Sequence, residues 1–268
     1  MTKSQKILRI VFIILLIIVV SELFYFFYYQ PSVSQKIPLP TPIPSVSIKS
    51  SDIVGIPSIT KIESGQQIEN IITGAETQGQ KFTSYISILN GLDQTQNCIT
   101  KTGKCFKIDN LKENLWKLDI DNIFPIKISG PFIVRLNFNG TKGASGVSLS
   151  IRLGEGDKTW WKNLRQIFFA IGENGKHLYI DVNNNDPDPF IFYDNTFDKK
   201  IEGIYILFNE TGTSFLVTDL SYKEITFIDL NKATDNKFSE GLFPDKQFYI
   251  GYMTAPLSDL VVYDFSIL

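Results

Sequence analysis

The chain has 268 residues, of which 43% are apolar, with 26 basic and 28 acidic side chains, one histidine and two cysteines. A formal net charge of −2 supplies no excess of positive charge to neutralise phosphates, which excludes a nucleic-acid partner. Two cysteines and the single His177 also argue against a zinc site of the usual four-ligand kind.

The N-terminus predicts one transmembrane helix. Three basic residues within residues 1–9 precede residues 10–29, which are apolar except for Ser21 and Glu22. At about 1.5 Å per residue this segment reaches roughly 30 Å, the thickness of the hydrocarbon core of a bilayer. The positive-inside bias places residues 1–9 in the cytoplasm and the rest of the chain outside. We therefore expect a single-pass membrane protein with an extracytoplasmic C-terminal domain.

A cleaved signal peptide is the alternative interpretation of this segment. Residues 10–20 could form its short apolar core, and residues 32–34, Ser-Val-Ser, its cleavage site. Apolar character resumes at residues 23–29, however, and the aromatic side chains there suit the outer membrane interface. We take Glu22 as a carboxylate that is protonated or drawn toward water, rather than as the mark of a partner.

Residues 30–51 predict a semi-extended linker. This segment is rich in serine and contains five prolines, which prevent regular backbone hydrogen bonding. At about 3.1 Å per residue it would hold the following domain on the order of 40–60 Å from the membrane.

Cys98 and Cys105 are predicted to form a disulfide. They lie close together in a polar segment in which Gly103 can turn the chain back. In the oxidising compartment that the anchor implies, such a pair favours a small disulfide loop.

Residues 52–268 are predicted to form one all-β domain. Apolar residues alternate in residues 132–138 and 147–153, and the glycines between them predict a hairpin. Two further hairpins are predicted: one pairs residues 166–171 with 177–182 around Asn174-Gly175, and the other pairs residues 203–208 with 214–218. Single strands are expected after them, at residues 224–229, 247–253 and 260–267. Helices are expected only at residues 109–116 or 159–164. Strands in this arrangement indicate a two-sheet antiparallel sandwich or barrel.

Three stretches resemble the concanavalin A-like lectin and glucanase fold, including its laminin-G-like branch. Residues 130–138 are similar to an early strand of these jelly rolls, residues 169–180 to their central hairpin, and residues 248–265 to their closing pair of strands. The resemblance implies a jelly-roll sandwich that binds carbohydrate or another extracellular ligand, although a fold does not determine a function.

The sequence lacks a convincing catalytic pair. Glucanases of this fold carry carboxylates at alternate positions of one strand. The nearest pair here, Glu155 and Asp157, belongs to a glycine-rich turn. The chain has no nucleophile-elbow sequence, so His177 has no serine nucleophile of that kind to activate. We therefore expect non-catalytic glycan binding. A structural or protein-interaction module at the cell surface is the alternative, and a divergent glycoside hydrolase is a weaker one.

An aromatic platform beside polar groups is the expected ligand site. Trp160 and Trp161 stand side by side among polar neighbours and could stack on a sugar ring, or could instead cap the core of the sandwich. Period-two alternation puts Tyr179 and Asp181 on one strand face, with Asn183 beyond them and Tyr193 on the following segment.

A calcium site is a further possibility at the same place. Asp181, Asn183 and Asn185 are spaced like the start of a calcium loop, but Asp186 replaces the loop glycine and Phe192 the bidentate glutamate. The alternative is a hydrated loop in which these residues serve turn geometry.

Overall fold

The computed structural model describes residues 56, 58–86, 97–100, 103–109, 117–119, 126–127, 130–142, 145–153, 164–185, 190–242 and 247–268. These residues belong to one compact unit, Ser47–Leu268. The predicted membrane segment at residues 10–29 and the linker at residues 30–51 lie outside the described residues. Among the described residues, no helix has the length and apolar character needed to cross a membrane.

The described residues contain fifteen strands, two α-helices and a 3-10 turn at Glu173–Gly175. In chain order the elements are α1 Gly65–Thr77, β1 Thr83–Ser84, β2 Asn97–Thr100, β3 Gly103–Asp109, β4 Lys117–Asp119, β5 Ile126–Lys127, β6 Phe132–Lys142, β7 Ser145–Arg152, β8 Leu164–Gly172, β9 His177–Asn184, β10 Phe190–Thr196, β11 Gly203–Phe208, β12 Ser214–Asp219, β13 Glu224–Asp229, α2 Leu230–Ala233, β14 Gln247–Thr254 and β15 Asp259–Ile267.

The strands form two antiparallel sheets. The first sheet has the order β13-β12-β11-β6-β15-β3-β2, with β1 paired to β15. The second sheet has the order β10-β9-β8-β7-β14-β4, with β5 paired to β14. The predicted all-β, two-sheet antiparallel jelly-roll sandwich is confirmed.

The core lies between the sheets and is rich in phenylalanine. Side chains from alternate positions of both sheets meet there, as expected for two packed layers. Phe132 of β6 and Phe208 of β11 stack with ring centroids 4.8 Å apart, and Phe169 of β8 meets Phe215 of β12 edge-on across the sandwich. The largest fully buried side chains are those of Phe106, Phe132, Phe138, Phe169, Phe208, Phe215, Phe238, Phe265 and Ile68.

The predicted hairpin between β6 and β7 is wrong. β6 pairs with β11 and β15 in the first sheet, whereas β7 pairs with β8 and β14 in the second. The chain therefore crosses from one sheet to the other between the two strands. Alternation of apolar residues looks the same in both cases, because each strand buries one face in the same core.

The other two predicted hairpins are confirmed. β8 and β9 pair around Asn174 and Gly175, which both adopt positive φ (61° and 84°), as the tight turn requires. β11 and β12 pair through the predicted turn, from Ile204 opposite Asp219 to Phe208 opposite Phe215. β13, β14 and β15 lie within one residue of the predicted strand bounds.

Helix α1 was not predicted. Its buried face is formed by Ile68, Ile71, Ile72 and Ala75, which follow the helical spacing. These residues join a second apolar cluster that includes Ile133, Leu207 and Leu216 from the first sheet. Helix α1 therefore covers part of the outer face of that sheet.

The segment from α2 to Leu242 packs against one end of the sandwich. Phe238 and Leu242 are buried in the core. Arg165 of β8 donates from Nη1 to the carbonyl of Gly241 (2.6 Å) and from Nε to Oδ1 of Asn184 (3.0 Å). This end of β8 and β9 is thereby held in place by hydrogen bonds from one buried guanidinium.

The two cysteines lie opposite each other. Cys98 of β2 is the register partner of Cys105 of β3, and Cys105 is buried. Directly opposed residues of an antiparallel pair have Cα separations of about 4.5–5.5 Å, within the range that a disulfide spans. This register supports the disulfide, which stays a prediction.

Candidate functional site

The outer face of the second sheet presents the side chains that alternate with its core residues. On β9, Leu178 and Val182 point into the core. Because successive side chains of a strand point to opposite faces, Tyr179, Asp181 and Asn183 lie on the outer face.

Register brings these residues beside polar side chains of the neighbouring strands. Asn183 lies opposite Gln166 of β8, and Gln166 lies opposite Ser150 of β7. In the adjacent row, Phe168 of β8 separates Asp181 from Ser148 of β7. We call the set Ser148, Ser150, Gln166, Asp181 and Asn183 the polar floor.

Small residues surround the polar floor on one side. Gly251 of β14 lies opposite Ser148, and Gly146 of β7 lies opposite Ala170 of β8. At these positions the outer face carries no bulky side chain.

The polar floor is buried and incompletely hydrogen-bonded. Its five side chains are between 0 and 5% exposed. Within the part of the chain that the structure describes, Ser148 Oγ, Ser150 Oγ, Gln166 Oε1 and Asp181 Oδ1 have no hydrogen-bond partner. Buried polar atoms are normally paired, so four such atoms on one face leave unused hydrogen-bonding capacity that a ligand or ordered water would satisfy.

Asp181 is the titratable group of the polar floor. Burial raises the pKa of its carboxyl group from 3.8 to about 7, because the charged form loses its hydration. A carboxyl group with this pKa changes its charge near neutral pH, which is unusual for aspartate.

The margin of the face beside β9 is more accessible. Ile191 of β10 lies opposite Asp181 and is 59% exposed. Tyr179 is partly exposed, and burial followed by the charges of Asp181 and Asp194 raises its pKa to about 12. Next to it, Nε2 of His177 and Oδ1 of Asp194 are 2.5 Å apart. Across the sheet, Tyr249 of β14 lies opposite Ser150 and is also partly exposed.

The structure brings together three of the residues predicted for the ligand site, Tyr179, Asp181 and Asn183. Tyr193 lies elsewhere, because the register of β10 shifts between Ile191 and Tyr193. Its side chain packs against the core, with its ring stacked on Phe197 at 6.3 Å.

Trp160 and Trp161 lie outside the described residues, as do Glu155 and Asp157. The proposed stacking of the two indoles on a sugar ring therefore stays a prediction.

The predicted calcium residues are not arranged as a loop. Asp181 and Asn183 are buried within β9, so the alternative of a hydrated loop is wrong for them, and exposed Asn185 follows the strand with a φ of 57°. In the described ranges, no three His, Cys, Asp or Glu residues are close enough to hold a metal ion together. Asp181 supplies one carboxylate, whereas calcium takes six to eight oxygens. Calcium at these residues stays a prediction.

Three residues of the polar floor were missed by sequence reasoning, namely Ser148, Ser150 and Gln166. Ser148 and Ser150 are the polar members of an alternating strand, which was interpreted only as evidence for the fold. Their relation to Asp181 depends on the pairing of β7, β8 and β9, which a sequence pattern does not contain.

No protein-family model matches this chain, and no curated protein matches its sequence. Solved structures are similar to it in fold. One is the carbohydrate-binding module CBM66 from Bacillus subtilis (11% identity, 64% of this chain and 90% of that chain, TM-score 0.38). Another is the family 7 alginate lyase A1-II′ (10% identity, 66% and 86%, TM-score 0.44), and a third is the carbohydrate recognition domain of Emp46p (12% identity, 60% and 95%, TM-score 0.37).

At such identities and TM-scores, the similarity says nothing about what this chain binds.

Proposed function

We propose that the β domain is a non-catalytic carbohydrate-binding domain whose ligand lies on the outer face of the second sheet. The polar floor is the observation that carries the proposal, because four buried polar atoms there have no partner among the described residues. Sugar hydroxyls both donate and accept hydrogen bonds, so they suit such a mixed set. Tyr179, which is partly exposed at the margin, offers a ring face for stacking.

Gln166→Met tests the proposal because it separates binding from stability. Replacing a buried, unpaired amide by an apolar side chain of similar size is expected to leave stability unchanged or to raise it. The same change removes a hydrogen-bonding atom from the ligand site. We therefore expect Gln166→Met to lose glycan binding while its thermal unfolding midpoint stays the same or rises.

The measurement is a glycan array with the purified full chain, followed by titration calorimetry on the glycans that bind. Gln66→Met on the exposed side of α1 is the matched control and should change neither property. Absence of binding to any glycan, or unchanged binding by Gln166→Met, would remove the proposal.

The same array tests the two tryptophans. If Trp160 or Trp161 stacks on the sugar, the corresponding alanine variant loses affinity. If both variants bind like the wild type, the stacking platform is Tyr179 instead.

We further propose that residues 10–29 anchor this domain outside a membrane. The long apolar run and the basic residues Lys3, Lys6 and Arg9 before it support this placement. Its ligand would then be a glycan of the cell's own envelope or an external polysaccharide.

A further inference from the structure

We infer that the polar floor selects neutral hexose units, which present hydroxyl groups, and discriminates against units that carry a carboxylate. This inference rests on the proposed function and specifies the chemical class of its ligand.

The hydrogen-bonding capacity of the polar floor favours a donating ligand. Asp181 Oδ1 in its ionised form and Gln166 Oε1 only accept hydrogen bonds, and both lack a partner within the described part of the chain. Ser148 Oγ and Ser150 Oγ donate and accept. A ligand must therefore donate at least two hydrogen bonds to satisfy this set. The C6 hydroxyl of a neutral hexose adds one donor to those of the ring hydroxyls, whereas the C6 carboxylate of a uronate only accepts.

The negative charge of the polar floor also disfavours a ligand that carries a carboxylate. Two other carboxylates on the outer faces have a cationic or ionisable partner: Asp264 pairs with Arg135 at 2.5 Å, and Asp194 pairs with His177. Among the described residues, Asp181 has no such ion pair, although it is 5% exposed. Charges interact more strongly at buried sites than in water, so the carboxylate of an incoming uronic acid would be repelled.

The ionisation of Asp181 fixes the conditions of the test. Because burial places the pKa of this group at about 7, the side chain is negatively charged at about pH 8. Binding should therefore be measured there, with the full chain and by titration calorimetry.

The probes are matched oligosaccharides that differ only at C6, where one member carries a hydroxymethyl group and the other a carboxylate. Fragments of equal length from β-1,4-glucan and β-1,4-glucuronan form one such pair, and fragments from β-1,4-mannan and β-1,4-mannuronan form another. For any pair that binds, we expect the uronate member to bind about tenfold more weakly or worse.

Asp181→Asn removes the charge while keeping a polar side chain of the same size. For each pair of oligosaccharides that binds, we expect this variant to reduce the ratio of the affinities for the neutral and the uronate member to about threefold or less. Asp198→Asn, at an exposed position after β10, makes the same change of net charge and should leave the ratio unchanged. Circular dichroism of both variants confirms that they are folded.

A uronate member that binds as tightly as its neutral counterpart would overturn the inference while leaving the proposed function in place. A preference for the neutral member that Asp181→Asn and Asp198→Asn weaken equally would also overturn it, since net charge would then be the cause. No binding to any member would overturn both the inference and the proposed function.

Discussion

At the scale of single residues, Asp181 connects the stability of the fold with its proposed ligand site. Its carboxyl group is buried on the outer face of the second sheet, and Oδ1 has no partner in the described part of the chain. A group in this position favours the protonated form in the folded protein, because the charged form would lose its hydration without compensation. The residue that would contact a ligand is therefore also one whose ionisation lowers the stability of the folded protein, by an amount that grows from about pH 4 to about pH 7.

The free energy of unfolding should fall as the pH rises from about 4 to about 7 because of this group. Below about pH 4 Asp181 is protonated in both the folded and the unfolded chain and contributes no difference. Between its ordinary pKa of 3.8 and its folded pKa of about 7, the folded chain holds a proton that the unfolded chain has lost. The loss levels off above pH 7, at a total on the order of 4 kcal/mol.

Asp181→Asn removes this dependence, so its advantage over the wild type should grow between pH 4 and pH 7. Urea unfolding at several pH values measures the difference, and exposed Asp198→Asn controls for the loss of a charge elsewhere. A difference between wild type and Asp181→Asn that is constant across this range would contradict the burial of the carboxyl group.

Secondary-structure elements whose geometry is encoded by a few neighbouring residues can be predicted from the sequence. The turn at Asn174-Gly175 needs positive φ at both residues, and the sequence supplies residues that tolerate it, so the β8–β9 hairpin was predictable. The β6–β7 connection was not, because a glycine-containing segment between two alternating strands also fits a crossing between sheets. Helix α1 was missed even though the spacing of Ile68, Ile71 and Ile72 is helical.

Some residues of the polar floor can likewise be predicted from a local pattern, whereas others are brought there only by the pairing of strands. Asp181 and Asn183 were predictable as neighbours because they alternate along one strand. Ser150 and Gln166 join them only through the registers of β7 with β8 and of β8 with β9. Long-range pairing of this kind is set by the packing of the whole sandwich and not by a local pattern.

Docking of α1 on the first sheet depends on Gly65. An added Cβ at this position would lie 2.1 Å from the carbonyl oxygen of Tyr222, in the turn between β12 and β13. The backbone carbonyl of Tyr222 cannot move aside as a flexible side chain could. We therefore expect Gly65→Ala to destabilise the protein by about 1–3 kcal/mol.

Gly74→Ala in the same helix is the matched control, since an added Cβ there meets no atom within 4 Å. It should stabilise the protein by about 0.5–1 kcal/mol, because alanine is the better helix former. Urea unfolding midpoints of both variants check the pair. Shifts in the same direction would contradict the close approach of α1 to the β12–β13 turn.

Across the sandwich, the two outer faces differ in the polarity of the side chains that they carry. The first sheet buries Ile133, Leu207 and Leu216 beneath α1, so part of its outer face belongs to the packing of the domain. The second sheet carries the polar floor. A domain with its proposed ligand site on one face suits display at the end of a linker, which is the arrangement that the sequence predicts for residues 30–51.

This arrangement predicts how the full chain behaves in cells. If residues 10–29 span the membrane, the protein should stay in the membrane fraction after alkaline carbonate extraction, and a variant that lacks residues 1–29 should not. Protease added to intact cells should remove the β domain, because the positive-inside bias places that domain outside. Cleavage only after lysis would contradict the orientation. A mature chain that begins near residue 34, as shown by its intact mass, would favour the cleaved signal peptide, which leaves the domain outside but without its anchor.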